Sequence, residues 1–171
     1  MRRRAQHRHA GRTAQEPPLL RFLLALLLAA LAVGLGVAGC ATAAIRPVKG
    51  RFQAPRQIRM SVTGYCNCQA CCSWHYNWYG RPTHASGPVK GRRKVVGRTA
   101  SGTRARLGTV AADPARYPMG TIVFVPGYGY GRVEDTGGAI KGDALDLWFP
   151  SHGRADAWGR QSLTVHVWLP K

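Results

Sequence analysis

Glu134, Asp135, Asp143 and Asp146 are four of only seven acidic residues in a chain of formal charge +18, and all lie between Val133 and Phe149. Carboxylates gathered this way in a basic protein are candidates for acid–base work, with a solvated acidic turn as the plain alternative. The residues between them favour chemistry. Asp135-Thr136-Gly137-Gly138 is a turn in which two glycines allow close backbone approach. Leu145-Asp146-Leu147-Trp148-Phe149 has the composition of a strand, with Leu145 and Leu147 on one face and Asp146 and Trp148 on the other. A carboxyl beside an apolar ring loses hydration, and a second carboxylate nearby raises its pKa further. Those are the conditions a general acid needs near neutral pH.

The elements that must position these residues are short. Candidate strands cover 57–65, 106–111, 121–125, 131–134, 144–148 and 162–169, punctuated by Pro, Gly and Asp. The last alternates cleanly: Leu163, Val165, Val167 and Leu169 on one face, Thr164, His166 and Trp168 on the other. One or two helical turns fit Ser151 to Trp158, with Ser151 as N-cap and Gly159 as the stop. No long amphipathic helix is expected. The periodicity predicts an all-β barrel or sandwich.

From about Met60 to the C-terminus the chain resembles the 3D domain, named for three aspartates and found in cell-wall lytic proteins and MltA-type lytic transglycosylases. The matching stretches are Thr99-Ala100-Ser101-Gly102-Thr103, Val110-Ala111-Ala112-Asp113-Pro114 and Tyr117-Pro118-Met119-Gly120-Thr121. Val125-Pro126-Gly127-Tyr128-Gly129, the acidic stretch itself, and Ser151-His152 with Ala155-Asp156-Ala157-Trp158-Gly159 complete them. Asp113, Asp135 and Asp146 match the three aspartates. The resemblance implies a small double-psi β-barrel with short helical turns. It also implies a cell-envelope enzyme that cleaves the β-1,4 bond between N-acetylmuramic acid and N-acetylglucosamine in peptidoglycan turnover. Asp146 would be the catalytic acid and then base, and Asp135 its supporting residue. Asp113, Thr99, Ser101, Gly102, Gly137 and Gly138 are candidates for contact with substrate, with a turn-fixing role for Asp113 as the other reading. No cofactor is expected. A non-catalytic peptidoglycan-binding or wall-loosening module of expansin-like type is the alternative, and no room is expected for the second domain of MltA-type enzymes.

The N-terminal region indicates export. Arg2, Arg3, Arg4, Arg8, Arg12 and Arg21 precede an uncharged apolar run from Phe22 to Gly39, which ends in Val37-Ala38-Gly39-Cys40. Small residues before a cysteine resemble the bacterial lipobox, so residues 1–40 are expected to be a signal peptide with lipidation at Cys40, or else a membrane anchor. Ala41 after the cysteine resembles an outer-membrane sorting signal, facing the periplasm. Residues 41–56 are expected to be a tether and 57–171 one domain, acting as a monomer on peptidoglycan strands.

Export changes the meaning of Cys66, Cys68, Cys71 and Cys72. In an oxidising envelope the first expectation is two disulfides, Cys66–Cys71 with Cys68–Cys72 or Cys66–Cys72 with Cys68–Cys71. Free thiols and a zinc knuckle with His75 or His84 nearby are alternatives, and no metal is assigned. His152 is read as a surface histidine. Past Cys40, nineteen Lys and Arg stand against six acids, a net +13. Export and the lack of a basic helix argue against nucleic acid as the partner. Peptidoglycan, with carboxylates on its stem peptides, suits the charge instead.

Overall fold

Val, Ile and Leu at alternating positions suit pleated strands, where their branched side chains pack against neighbours on one face. Six such strands close here into a barrel around Met60, Val62, Val110, Ala112, Val123, Val125, Val133, Leu145, Leu147, Val165 and Val167, all buried. The structure is a computed structural model that describes residues 45–171; the arginine-rich start, the apolar run and Cys40 lie outside the described residues. Among the described residues no helix is long and apolar enough to cross a membrane.

The elements in chain order are β1 (Arg56–Tyr65), α1 (Gln69–Cys72), β2 (Trp74–Tyr76), β3 (Pro82–His84), β4 (Thr109–Ala112), β5 (Ile122–Val125), β6 (Gly129–Asp135), β7 (Ala144–Trp148), α2 (His152–Trp158) and β8 (Gln161–Trp168). The barrel order is β1-β7-β4-β6-β5-β8, closed by antiparallel pairing of β8 with β1. β1 with β7 and β4 with β6 are parallel; the remaining neighbours are antiparallel. All six expected strands are present. The strand expected from residue 106 starts instead at Thr109, because Arg106 closes a turn in which the Thr109 amide donates to its carbonyl at 2.9 Å.

The short β2–β3 hairpin was not foreseen. Three residues per strand, one of them proline, carry too little periodicity to register. It belongs to a lobe between Cys66 and Gly97 that stands outside the barrel. α2 matches expectation: the Ser151 hydroxyl accepts from the Arg154 amide at 3.4 Å, and Gly159 ends the helix at φ 64°. The helix lies close on β1 because Gly64 has no side chain. A Cβ there would sit 2.9 Å from the Phe149 ring and 3.0 Å from the Ala155 carbonyl.

Part of the expected tether is held against the barrel. Ile45 is buried, and the Arg46 guanidinium lies 5.6 Å from the centre of the Tyr130 ring. The Gln53 amide donates to Leu169 at 2.9 Å and the Lys171 amide to Arg51 at 3.1 Å, so residues 45–53 form a strap beside the C-terminus.

Candidate active site

Four adjacent strands bring Thr63, Asp146, Ala111 and Asp135 into one rung: Thr63 pairs with Asp146, Asp146 with Ala111, and Ala111 with Asp135. The pleat sends the neighbours Val62, Leu145, Leu147, Val110 and Ala112 into the core, so this rung points outward. The backbones of Asp135 and Asp146 are two strand spacings apart, roughly 10 Å, with Ala111 on the strand between them.

A β-bulge puts Asp135 in that row. Val110 pairs with Val133, but the next residue of β4, Ala111, pairs with Asp135, so Glu134 is the extra residue. Strict alternation from Val133 would have turned Asp135 inward; the bulge re-aims it. Glu134 is consumed structurally. It is buried, its Oε2 accepts from the Thr109 hydroxyl at 2.9 Å and the Thr103 hydroxyl at 3.3 Å, and Arg106 approaches Oε1 at 3.4 Å.

The outer wall of the site comes from the lobe beyond Cys66. Between lobe and barrel lies a cleft of about 400 Å³, lined among others by Asp135, Asp146, Gly137, Gly138, Tyr65 and Asn67. Lys94 and Arg98 bring positive charge to the same cleft. Asp146 is half-buried, and its Oδ1 accepts from the Thr63 hydroxyl at 2.9 Å. Burial pushes its carboxyl up to about 6; the Thr63 bond and the Arg160 charge oppose this, and the Asp135 charge adds to it. Trp148 shares the face as expected, with its indole N–H donating to Asn67 Oδ1 at 2.9 Å. Asp135 is held by three donors at 2.9 Å: the Tyr65 hydroxyl on Oδ2, and the Ala100 and Thr136 amides on Oδ1. A pair thus forms in which one carboxyl is held up at about 6 and the other is rigidly oriented.

The remaining residues singled out from the sequence fall into two groups. Gly137 and Gly138 line the cleft, and a side chain at Gly137 would meet Ile140 at 2.8 Å. Asp113, Thr99, Ser101 and Gly102 do not line it. Asp113 accepts from the Gly142 amide at 2.9 Å and the Ala115 amide at 3.2 Å, which hold its carboxyl below the usual range and tie the 113–117 turn to the loop before β7. Thr99, Ser101 and Gly102 form a turn clipped to β6, where the Ser101 amide donates to the Glu134 carbonyl at 3.0 Å. That turn presents the Ala100 amide to Asp135. Asp143 accepts from the Tyr117 hydroxyl and pairs with Arg116 at 3.2 Å, away from the cleft.

Thr63, Tyr65 and Asn67 were not singled out as site residues. The alternation of Thr63 and Tyr65 on β1, with Asn67 two residues past its end, is legible in the sequence, but the register of β1 against β7 is not.

Of the expected cysteine states, the structure carries the free-thiol one. All four are free thiols, and the Cys66 and Cys71 sulfurs are 3.9 Å apart. Three of them turn toward His152, whose Nδ1 lies 3.4 Å from Cys71 Sγ and 3.6 Å from Cys68 Sγ. His152 is exposed, as a surface histidine is expected to be, and it stands beside these thiols. His75 and His84 sit on the hairpin instead, with His75 Nε2 3.5 Å from the Thr83 hydroxyl.

A closed β-barrel carrying a carboxylate pair on its outer face, walled by an added lobe, is the class this chain defines. Residues 108–170 match the model of the 3D domain family. Among curated proteins, "Cell wall-binding protein YocH" of Bacillus subtilis (strain 168) is 45% identical over 58 residues, covering 34% of this chain and 20% of that one. The chain therefore matches only about a fifth of that relative's length. Among solved structures, MltA from E. coli aligns at 23% identity over 43% of this chain and 28% of that chain, with TM-score 0.37. The E. coli MltA structure with bound chitohexaose aligns at 23% identity over 43% and 27%, also at TM-score 0.37.

Proposed function

We propose that the cleft cleaves peptidoglycan glycan strands by a lytic transglycosylase reaction, with Asp146 as the catalytic acid–base. The observation that carries this reading is the raised carboxyl of Asp146, near 6, in a cleft it shares with the fixed carboxylate of Asp135. Protonated Asp146 donates its proton to the glycosidic oxygen between N-acetylmuramic acid and N-acetylglucosamine as the C1–O bond breaks. The resulting carboxylate takes the proton of the muramic C6 hydroxyl as that oxygen bonds to C1, which gives a 1,6-anhydro ring and restores the acid. The nucleophile is part of the substrate, so positioning replaces an activated water. Asp135 stabilises positive charge on the ring and sustains the raised pKa of Asp146. Lys94 and Arg98 suit stem-peptide carboxylates.

The 3D-domain match and the name of the Bacillus relative support a cell-envelope setting. In this reading residues 1–40 export the chain, lipidated Cys40 anchors it in the outer membrane, and 57–171 is the working domain. The barrel is read as double-psi, an assignment supported by its two parallel strand pairs.

The test is mass spectrometry of peptidoglycan incubated with the full chain in detergent and with its Asp146→Asn variant. Anhydromuropeptides from the parent alone are the expected result. Reducing-end products would assign a hydrolase. No release, with both proteins still sedimenting with sacculi, would leave the second reading, a glycan-binding module, which the relative's name "Cell wall-binding protein" favours.

A further inference from the structure

The cleft chemistry makes no use of Cys66, Cys68, Cys71 and His152, yet the fold gathers them. Cys66 follows the end of β1, Cys68 caps α1, Cys71 lies inside α1, and His152 opens α2 some eighty residues later. The four candidate ligand atoms all lie within 4.8 Å of one another. We propose that these four side chains form a tetrahedral Cys₃His site for one structural zinc ion.

Distance is the first argument. Zinc bonds of about 2.3 Å to sulfur and 2.0–2.1 Å to nitrogen put tetrahedral S···S edges at about 3.8 Å and S···N edges at about 3.6 Å. The corresponding separations are 3.9 Å for Cys66–Cys71, 3.6 Å for Cys68–His152 and 3.4 Å for Cys71–His152. A disulfide needs sulfurs about 2.05 Å apart and gives a histidine nitrogen no place among them. Donor chemistry is the second argument: three thiols and an imidazole suit zinc, and four protein ligands leave no open position, as in structural rather than catalytic sites. Binding deprotonates the three thiols, so zinc enters as three protons leave and the centre carries one negative charge. Ligation through Nδ1 leaves the Nε2–H facing Asp156, 3.9 Å away and one turn along α2, as an orienting carboxylate.

The fourth cysteine is excluded by its own bond. The Cys72 thiol donates to the Cys66 carbonyl at 3.1 Å and lines the cleft. The site would pin the lobe to α2 beside Asn67, the residue between the first two ligands that receives the Trp148 indole. Zinc would then brace the cleft wall without touching substrate.

The experiment is metal analysis and native mass spectrometry of the full chain in detergent, purified under reducing conditions without chelator, followed by cobalt substitution. The expected result is one zinc per chain and, with Co²⁺, the intense visible bands of tetrahedral thiolate ligation. Cys72→Ser should keep both. Cys68→Ser should lose the metal. His152→Gln, at a half-exposed side chain whose loss leaves the barrel intact, should weaken zinc in chelator competition by at least tenfold. A reduced, folded parent that takes up neither zinc nor cobalt would overturn the proposal. So would metal binding that depends on Cys72 but not on His152, or a native protein with these thiols paired as disulfides. Sugar cleavage is not read in any of these measurements, so they stand or fall apart from the catalytic reading.

Discussion

Replacing Asp146 with Asn should make the protein more stable at neutral pH, and the gain should vanish in acid. The Thr63 hydroxyl donates to Oδ1 of Asp146, and an asparagine oxygen accepts the same bond, so geometry is kept while the ionisable group is removed. Burial pushes the folded carboxyl up to about 6, against 3.8 for an ordinary aspartate. Below 3.8 the side chain is protonated in both the folded and unfolded chains and contributes nothing. Between 3.8 and 6 the unfolded chain ionises while the folded chain stays protonated, so the parent loses stability as pH rises. Above 6 the penalty is constant. At 1.36 kcal/mol per unit the full shift is worth about 3 kcal/mol, and partial opening of the cleft to water brings the expected gain to about 1–2 kcal/mol. Urea unfolding of parent and Asp146→Asn at pH 3.5, 5, 6.5 and 8 reads the difference, because titrating groups that do not interact with Asp146 cancel and the Asp135 coupling is part of the effect. A difference that is absent at pH 8, or equal at pH 3.5 and pH 8, would refute the raised pKa and with it the acid role.

If Asp146 must be protonated to act, cleavage should fall as pH rises through about 6, with the rate constant at saturating sacculi as the readout. Tyr65→Phe removes one of three donors to Asp135 and should lower the cleavage rate while leaving sedimentation with sacculi unchanged; equal rates would remove Asp135 from the mechanism. Glu134→Gln leaves buried donors facing a neutral group and should destabilise the fold by about 1–3 kcal/mol in urea, with no effect on glycan binding. Gly64→Ala drives a Cβ to within 2.9 Å of Phe149 and should cost about 1–3 kcal/mol by overpacking; an unchanged midpoint would mean that α2 lifts away freely.

Much of the barrel was legible because its strands alternate. Leu145, Leu147, Val165 and Val167 are buried where period two placed them, and the Ser151 and Gly159 caps bracket α2 as their chemistry implies. The cleft was legible only in part. Asp135 and Asp146 stood out as acids in a basic chain, but composition could not separate them from Glu134 and Asp143, which structural bonds consume. That Asp135 faces outward at all depends on a one-residue bulge, a property of strand pairing that a single strand does not carry. The place of His152 beside the cysteines was hidden for a related reason. Local spacing restricts four nearby cysteines mainly to one another, whereas the chain closes so that His152 arrives among three of them.

The sequence by itself determined which residues prefer strands, which turn, and which can hold or release a proton, because those are properties of side chains and nearest neighbours. Tertiary structure alone decided that Thr63, Asp146, Ala111 and Asp135 form one rung, that a lobe walls one side of it, and that burial pushes the Asp146 carboxyl up to about 6. Register and desolvation arise between segments far apart in the chain, and they exist only once the barrel is closed.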